Sequence, residues 1–176
     1  THTSVASFSQ AHYDHTIIVH GFAKAYSMTG WRLGYLAAPE PIAKAIDAIQ
    51  SHSTSNPCSF AQKGGVAALT GPQDHLPAWL AEYAKRRGYA HQRLNAMPGV
   101  SCVNAKGAFY LFPNISKLGL NSSDFCAKLL EKEKVAAVPG VAFGADQYLR
   151  ISYATSMANI EKGLDRLEKF VRSLGK

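Results

Sequence analysis

Residues 16–38 read TIIVHGFAKAYSMTGWRLGYLAA. A β-branched run centred on Ile17, Ile18 and Val19 passes at Gly21 into small residues, with one lysine, Lys24, between Ala23 and Ala25. A second apolar run, 31–38, follows, and Arg32 stands near its start, eight residues after the lysine. Short apolar runs of this kind are what buried strands of a parallel sheet carry, so 16–20 and 31–38 are expected to be strands. Lys24 then falls where a buried strand ends, and two readings of it are open. A lysine at a strand end is ordinarily solvated. One desolvated among small residues has its ammonium disfavoured, leaving the free amine that Schiff-base chemistry with a carbonyl requires. Arg32 is equally open: its guanidinium can grip a phosphate or carboxylate as a bidentate fork, or pair with an acidic side chain.

Outward from this stretch, Pro39 and Pro41 open a helix with apolar residues at 42, 45, 46 and 49, the spacing of one helical face. Residues 53–59 form a loop, and Ser59 is the expected N-cap of a helix running to about residue 71. Gly64 and Gly65 inside that helix predict close packing against another backbone. A long helix over 74–97 offers Leu76, Leu80, Tyr83, Ala84, Ala90 and Leu94 as its apolar side, and Pro98 and Gly99 stop it. The rhythm then changes. Strands are expected at 100–105, 108–113, 135–139 and 148–154, with a helix over 122–134 capped by a serine or Asp124. A final helix takes Ser156 as N-cap and carries Ile160, Leu164, Leu167 and Val171 at helical spacing. Alternation along 148–154 sets Leu149, Ile151 and Tyr153 on one side and Arg150 with Ser152 on the other. An arginine so placed needs an anion or a wet face.

The composition, 47% apolar and 18% charged over 176 residues, is that of a chain able to build a core. No apolar run is long enough to span a membrane as a helix, so no membrane partner is expected. The net charge of +7 raises nucleic acid as a partner. The basic residues are scattered, however: 85–87 is the densest cluster, and Lys132 and Lys134 alternate with Glu131 and Glu133, so solvated helix faces are expected and nucleic acid is not. Cys58, Cys102 and Cys126 are odd in number and far apart. They form neither a metal-ligand pattern nor a disulfide framework, which fits a reducing, cytoplasmic setting and no metal.

HGFAKAYSMTGWRLGY (20–35), QSHSTSNPCSFAQKGGVAAL (50–69), KGAFYLFPNIS (106–116), AAVPGVAFG (136–144) and LRISYATS (149–156) occur in the order expected of the class I aminotransferases, which this chain resembles over essentially its whole length. The likeness is strongest to bacterial-type aspartate and aspartate/prephenate aminotransferases. It implies an α/β fold, the C-terminal part of a fold type I pyridoxal-phosphate-dependent transferase: the end of the parallel-type sheet of the large domain in 1–75 and an α+β small domain in 76–176. By resemblance Lys24 carries pyridoxal 5'-phosphate covalently through its amine, Arg32 binds the cofactor phosphate, and Arg150 grips the α-carboxylate of the substrate. The implied activity is ping-pong transamination between an amino acid, aspartate-like or aromatic/prephenate-like, and a 2-oxo acid. The 53–57 loop resembles the family segment that approaches a partner subunit, which implies a homodimer. Phe109 and Tyr110 fall on the small-domain side of such a site, although two aromatics in one strand are more often core.

Three departures qualify the resemblance. Ala23 stands where serine is frequent, and His20 where asparagine is common before the glycine. The family's glycine-rich phosphate loop, ring-stacking aromatic and aspartate–tyrosine block are not in these residues, so the chain is expected to be the C-terminal part of a longer enzyme. The competing expectation is a non-catalytic remnant that serves as an interaction or structural module. Without the aspartate the pyridine nitrogen is not held protonated. The isolated 176 residues are therefore expected to show neither the visible absorbance band of a lysine-bound cofactor nor measurable turnover; a clear band with turnover would overturn this.

Overall fold

The computed structural model describes residues 3–175, which divide into two compact units between Leu76 and Pro77. In the first, a 3-10 turn (Val5–Ser7) precedes a short helix, α1 (Gln10–Asp14), capped by the Ser9 hydroxyl accepting from the His12 amide. Strands β1 (Ile18–Gly21) and β2 (Gly34–Ala37) follow, then helices α2 (Glu40–Ser53) and α3 (Ser59–Thr70). The division falls inside the next helix, α4 (His75–Asn95), between Leu76 and Pro77.

β1 and β2 pair antiparallel, with Ile18 opposite Ala37 and Gly21 opposite Gly34. The expected burial of the 16–20 run is not found: Val19 is 78% exposed and Ile17 46%. β-branching is enough to make the run extended, but a two-stranded ladder has open edges, and among the described residues nothing covers Val19. α2 starts as read, with Pro39 at its N-cap and Pro41 in the first turn, where a missing N–H costs nothing. The helix α3 instead begins after Cys58, which makes no side-chain cap, so Ser59 lies inside the first turn. Gly64 and Gly65 do mark close packing, against side chains rather than backbone. A Cβ at Gly64 would come within 2.6 Å of the Trp31 ring, and one at Gly65 equally close to Leu33, with Phe22 at 3.2 Å.

The second unit is a three-stranded antiparallel sheet, order β3–β5–β4, packed with helices α5 (Ser122–Glu133) and α6 (Met157–Leu174). β3 is Tyr110–Leu111, β4 Val138–Pro139 and β5 Leu149–Ser152. These strands are shorter than the sequence suggests, and 100–105 contributes only a single bridge from Ser101 to Asn114. α4 ends at Asn95, and the chain reverses through Gly99 in the left-handed conformation that glycine adopts without steric cost. Of its expected apolar face, Ala90 and Leu94 are buried while Leu80 stays exposed. α5 is capped by Asn121, not a serine or Asp124; its side chain accepts from the Asp124 amide at 2.8 Å. α6 is capped by Ser156, as the sequence indicates, and buries Ile160, Leu164, Leu167, Phe170 and Val171. Its Phe170 meets Phe125 of α5 edge-on at 5.0 Å in a core shared with Leu129, Leu111 and Leu149. Each such side chain contributes about 1.5–3 kcal/mol on burial.

α4 and α6 are tied by Arg93, which donates to Asp165 at 2.6 Å, Tyr89 at 2.7 Å and Glu168 at 3.2 Å. Arg172, ahead of Arg93, holds the Glu168 carboxyl below the usual glutamate range. A depressed carboxyl stabilises the fold fully above its unfolded value, near 4.3, and loses that contribution as pH falls through the lower folded value. Stability in urea is expected to drop between pH 5 and acid conditions, with a smaller drop in Glu168→Gln; equal drops would remove Glu168 from the account.

Candidate active site

Lys24 and Arg32 lie on one connection, residues 22–33, between β1 and β2. The hydrophobic pins of this connection are Phe22, 3% exposed, and Met28, 8% exposed. Between them the chain closes a tight turn: the amides of Tyr26 and Met28 donate to the Phe22 carbonyl, and that of Ser27 to the Lys24 carbonyl. The Thr29 hydroxyl donates back to the Ala23 carbonyl at 3.0 Å, and the Tyr26 hydroxyl to Gln73 at 3.1 Å. Ser27 and Arg32 take left-handed backbone angles, φ 54° and 49°. The turn is thus fixed at both ends while Lys24, at its crest, is exposed. It stands on a surface turn, not at the end of a buried strand.

Arg32 follows a single 3-10 turn, Thr29–Trp31, and is also exposed. Its one hydrogen bond among the described residues goes to the Thr29 carbonyl at 3.1 Å, and no carboxylate pairs with it there. Four of its five N–H donors therefore remain for an anion. Arg32 lines a hollow of about 690 Å³ with His20, Tyr35, Asp47, Asn56 and Pro57. His20 is exposed, its ring 5.5 Å from that of Tyr35. The 53–57 loop is exposed throughout, with Ser55 at φ 62°.

Arg150 belongs to the second unit, where β5 lies between β3 and β4. The alternation read from sequence holds: Leu149 and Tyr153 are buried, while Arg150 is half-buried and Ser152 exposed. Tyr110 faces Ser152 in the register, and Asn114 bridges to Tyr148, so Phe112 stands opposite Arg150 and Tyr110 diagonal to it. The Arg150 guanidinium carbon lies over the Tyr110 ring at 4.4 Å and over the Phe143 ring at 4.8 Å. Of the two aromatics expected near the site, Phe109 packs against the core and Tyr110 turns to Arg150. Phe143 escapes sequence reasoning altogether, because its place depends on how the chain returns after β4.

That return is held by backbone. Gly140 donates to the Tyr148 carbonyl at 2.8 Å, and a Cβ there would strike the carbonyls of Ala145 and Tyr148. The fully buried Ser122 hydroxyl donates to Asp146 at 2.6 Å and accepts from the Val141 amide at 3.2 Å. Among the described residues no cluster of His, Cys, Asp or Glu could hold a metal ion, and no helix is long and apolar enough to cross a membrane. Burial pushes the Cys102 and Cys126 thiols up, and Cys58 is exposed.

In the first unit, an exposed lysine and an arginine without a carboxylate partner among the described residues lie on one pinned connection and suit an anionic ligand; in the second unit, Arg150 on its sheet face suits one as well. Residues 2–167 match the family model described as aminotransferase class I and II, and the chain belongs to that family. Among curated relatives, the aspartate aminotransferase of Bacillus subtilis is 43% identical over 97% of this chain and 44% of its own length. A probable aspartate/prephenate aminotransferase of Rickettsia conorii is 46% identical over 87% of this chain and 41% of its own. The crystal structure of the Rhizobium meliloti aspartate aminotransferase matches with a TM-score of 0.91 at 38% identity, over 97% of this chain and 45% of that one. An aromatic aminotransferase from Pyrococcus horikoshii matches equally well, TM-score 0.91 at 39% identity, over 99% of this chain and 48% of that one. The chain spans less than half the length of these relatives, matches their C-terminal part and has its mixed α/β fold.

Ser122→Ala leaves the Val141 amide without its hydroxyl acceptor and removes the hydroxyl bond to Asp146, which keeps only the Ser122 amide. It is expected to destabilise the second unit by about 1–3 kcal/mol in a denaturant titration; an unchanged midpoint would show that the hydroxyl does not hold the 140–148 return.

Proposed function

We propose that this chain supplies the lysine-bearing part and small domain of a pyridoxal-phosphate-dependent aminotransferase. Residues 1–75 are then the C-terminal part of the cofactor-binding large domain and 76–176 the small domain. The observation that carries the reading is the pinned 22–33 turn, which presents Lys24 together with an Arg32 that has no carboxylate partner among the described residues. Those residues fit the cofactor: the amine suits its aldehyde, and the open guanidinium suits its phosphate. When bound, pyridoxal phosphate supplies an electron sink for the charge left at the substrate Cα.

The roles of this chain's residues follow. Arg32 holds the phosphate oxygens with its unspent donors, anchoring the cofactor beside Lys24. Arg150 holds the α-carboxylate of the amino acid or 2-oxo acid and so fixes the direction of the Cα–H bond. The Lys24 amine takes the proton from Cα as general base and returns it as general acid. Amino acid and 2-oxo acid use one site in turn, which gives ping-pong kinetics. The donors favoured are aspartate-like or aromatic/prephenate-like, in line with the names of the relatives. The chain acts in the cytoplasm, as the free cysteines suggest, and as part of a homodimer that the exposed 53–57 loop approaches.

The test uses a polypeptide of the relatives' length that contains these residues. Lys24→Ala is expected to lower transamination on the order of 10²–10⁴-fold or more and to abolish the absorbance band of lysine-bound cofactor. Full activity in that variant would sink the catalytic reading and leave the chain as an interaction or structural module.

A further inference from the structure

Arg93 and Arg150 are both half-buried arginines of the second unit, yet they are held in opposite ways. Arg93 spends its donors on Tyr89, Asp165 and Glu168, and its charge is matched by two carboxylates. Arg150 has no ion pair and no side-chain hydrogen bond among the described residues; its guanidinium is fixed by the rings of Tyr110 and Phe143, at 4.4 and 4.8 Å. Ring faces attract a guanidinium through their quadrupole at such distances without consuming an N–H. An arginine held in this way keeps its full charge and all five donors.

The rings are themselves braced. Phe143 meets the edge of Phe112 at 5.9 Å, and Phe112 stacks on Tyr148 at 5.0 Å with the planes 5° apart. Tyr110 leans on Phe109 at 4.6 Å. The backbone beneath Phe143 is pinned through Gly140 and the bond from Val141 to Ser122. Phe143 is nonetheless 48% exposed, which a ring serving only the core would not be.

We infer that Tyr110 and Phe143 are positioning residues: they clamp the Arg150 guanidinium in a carboxylate-receiving pose without neutralising it. The inference rests on the reading of Arg150 as the carboxylate-binding residue. A neighbouring carboxylate could also fix the side chain, but it would compete with the incoming one for the same donors. Two ring faces supply order without competition, so the side chain is preorganised and less rotamer entropy is lost on binding.

Two measurements test it. In the full 176-residue chain with ¹⁵N-labelled arginine, the Arg150 Nε–H proton is expected upfield of the unstacked range through ring currents; an unshifted resonance overturns the clamp without any variant. In the cofactor-loaded polypeptide of the relatives' length, Phe143→Leu and Tyr110→Leu are expected to raise KM for both the amino acid and the 2-oxo acid roughly 5- to 30-fold. The absorbance of bound cofactor stays unchanged, kcat moves less than KM, and Phe143→Tyr and Tyr110→Phe rescue binding. Leucine variants with unaltered KM, or aromatic variants as impaired as the leucine ones, overturn the clamp. Arg150→Ala separates the two ideas. If it leaves KM unchanged, the assignment of Arg150 itself fails; if it raises KM while the leucine variants do not, that assignment stands and the clamp alone falls.

Discussion

Strand β5 depends on a period of two, and the second unit depends on β5. Leu149 and Tyr153 enter the core while Arg150 and Ser152 leave it, because successive side chains of an extended chain point to opposite faces. A slip of one residue would bury a guanidinium and expose a leucine. Pairing with β3 on one edge and β4 on the other fixes the strand against that slip. The same register aligns Tyr110, Phe112 and Tyr148 on the arginine's face, so core formation and the placing of the arginine follow from one alignment.

In the first unit the constraint is different. β1 and β2 bury little, and the order of the 22–33 connection comes from two buried side chains, Phe22 and Met28, together with local backbone hydrogen bonds. Paired glycines in α3 let the helix lie close to Trp31, Leu33 and Phe22, which steadies the connection from below. Phe22 and Met28 flank Lys24, Arg32 follows one 3-10 turn beyond Met28, and both stay exposed because the buried anchors do not include them.

Charge is used in two ways in the second unit. Arg93 is raised still further toward its charged form, chiefly by Asp165, and serves to join two helices. Among the described residues Arg150 meets rings instead of carboxylates. The two arginines cannot be told apart by residue type or local hydropathy; the difference lies in what the fold sets against each.

Much of this is legible in the amino-acid sequence. Helical spacing marks the apolar face of α6, Ser156 announces its cap, alternation sorts β5, and the ordered blocks indicate the family. Local signals of this kind depend on residues within a turn or a strand of one another. Other features are decided only by tertiary structure. The antiparallel partner of β1 and the exposure of Val19 depend on which segments lie alongside, and the cap of α5 goes to Asn121 through the geometry of the preceding loop. Phe143 reaches Arg150 across a chain reversal. Sequence by itself determined the family and the spacing of Lys24, Arg32 and Arg150 along the chain. The register of β5 and the return after β4 decided how Arg150 is held, because ring-to-guanidinium contacts join residues that are far apart in the chain.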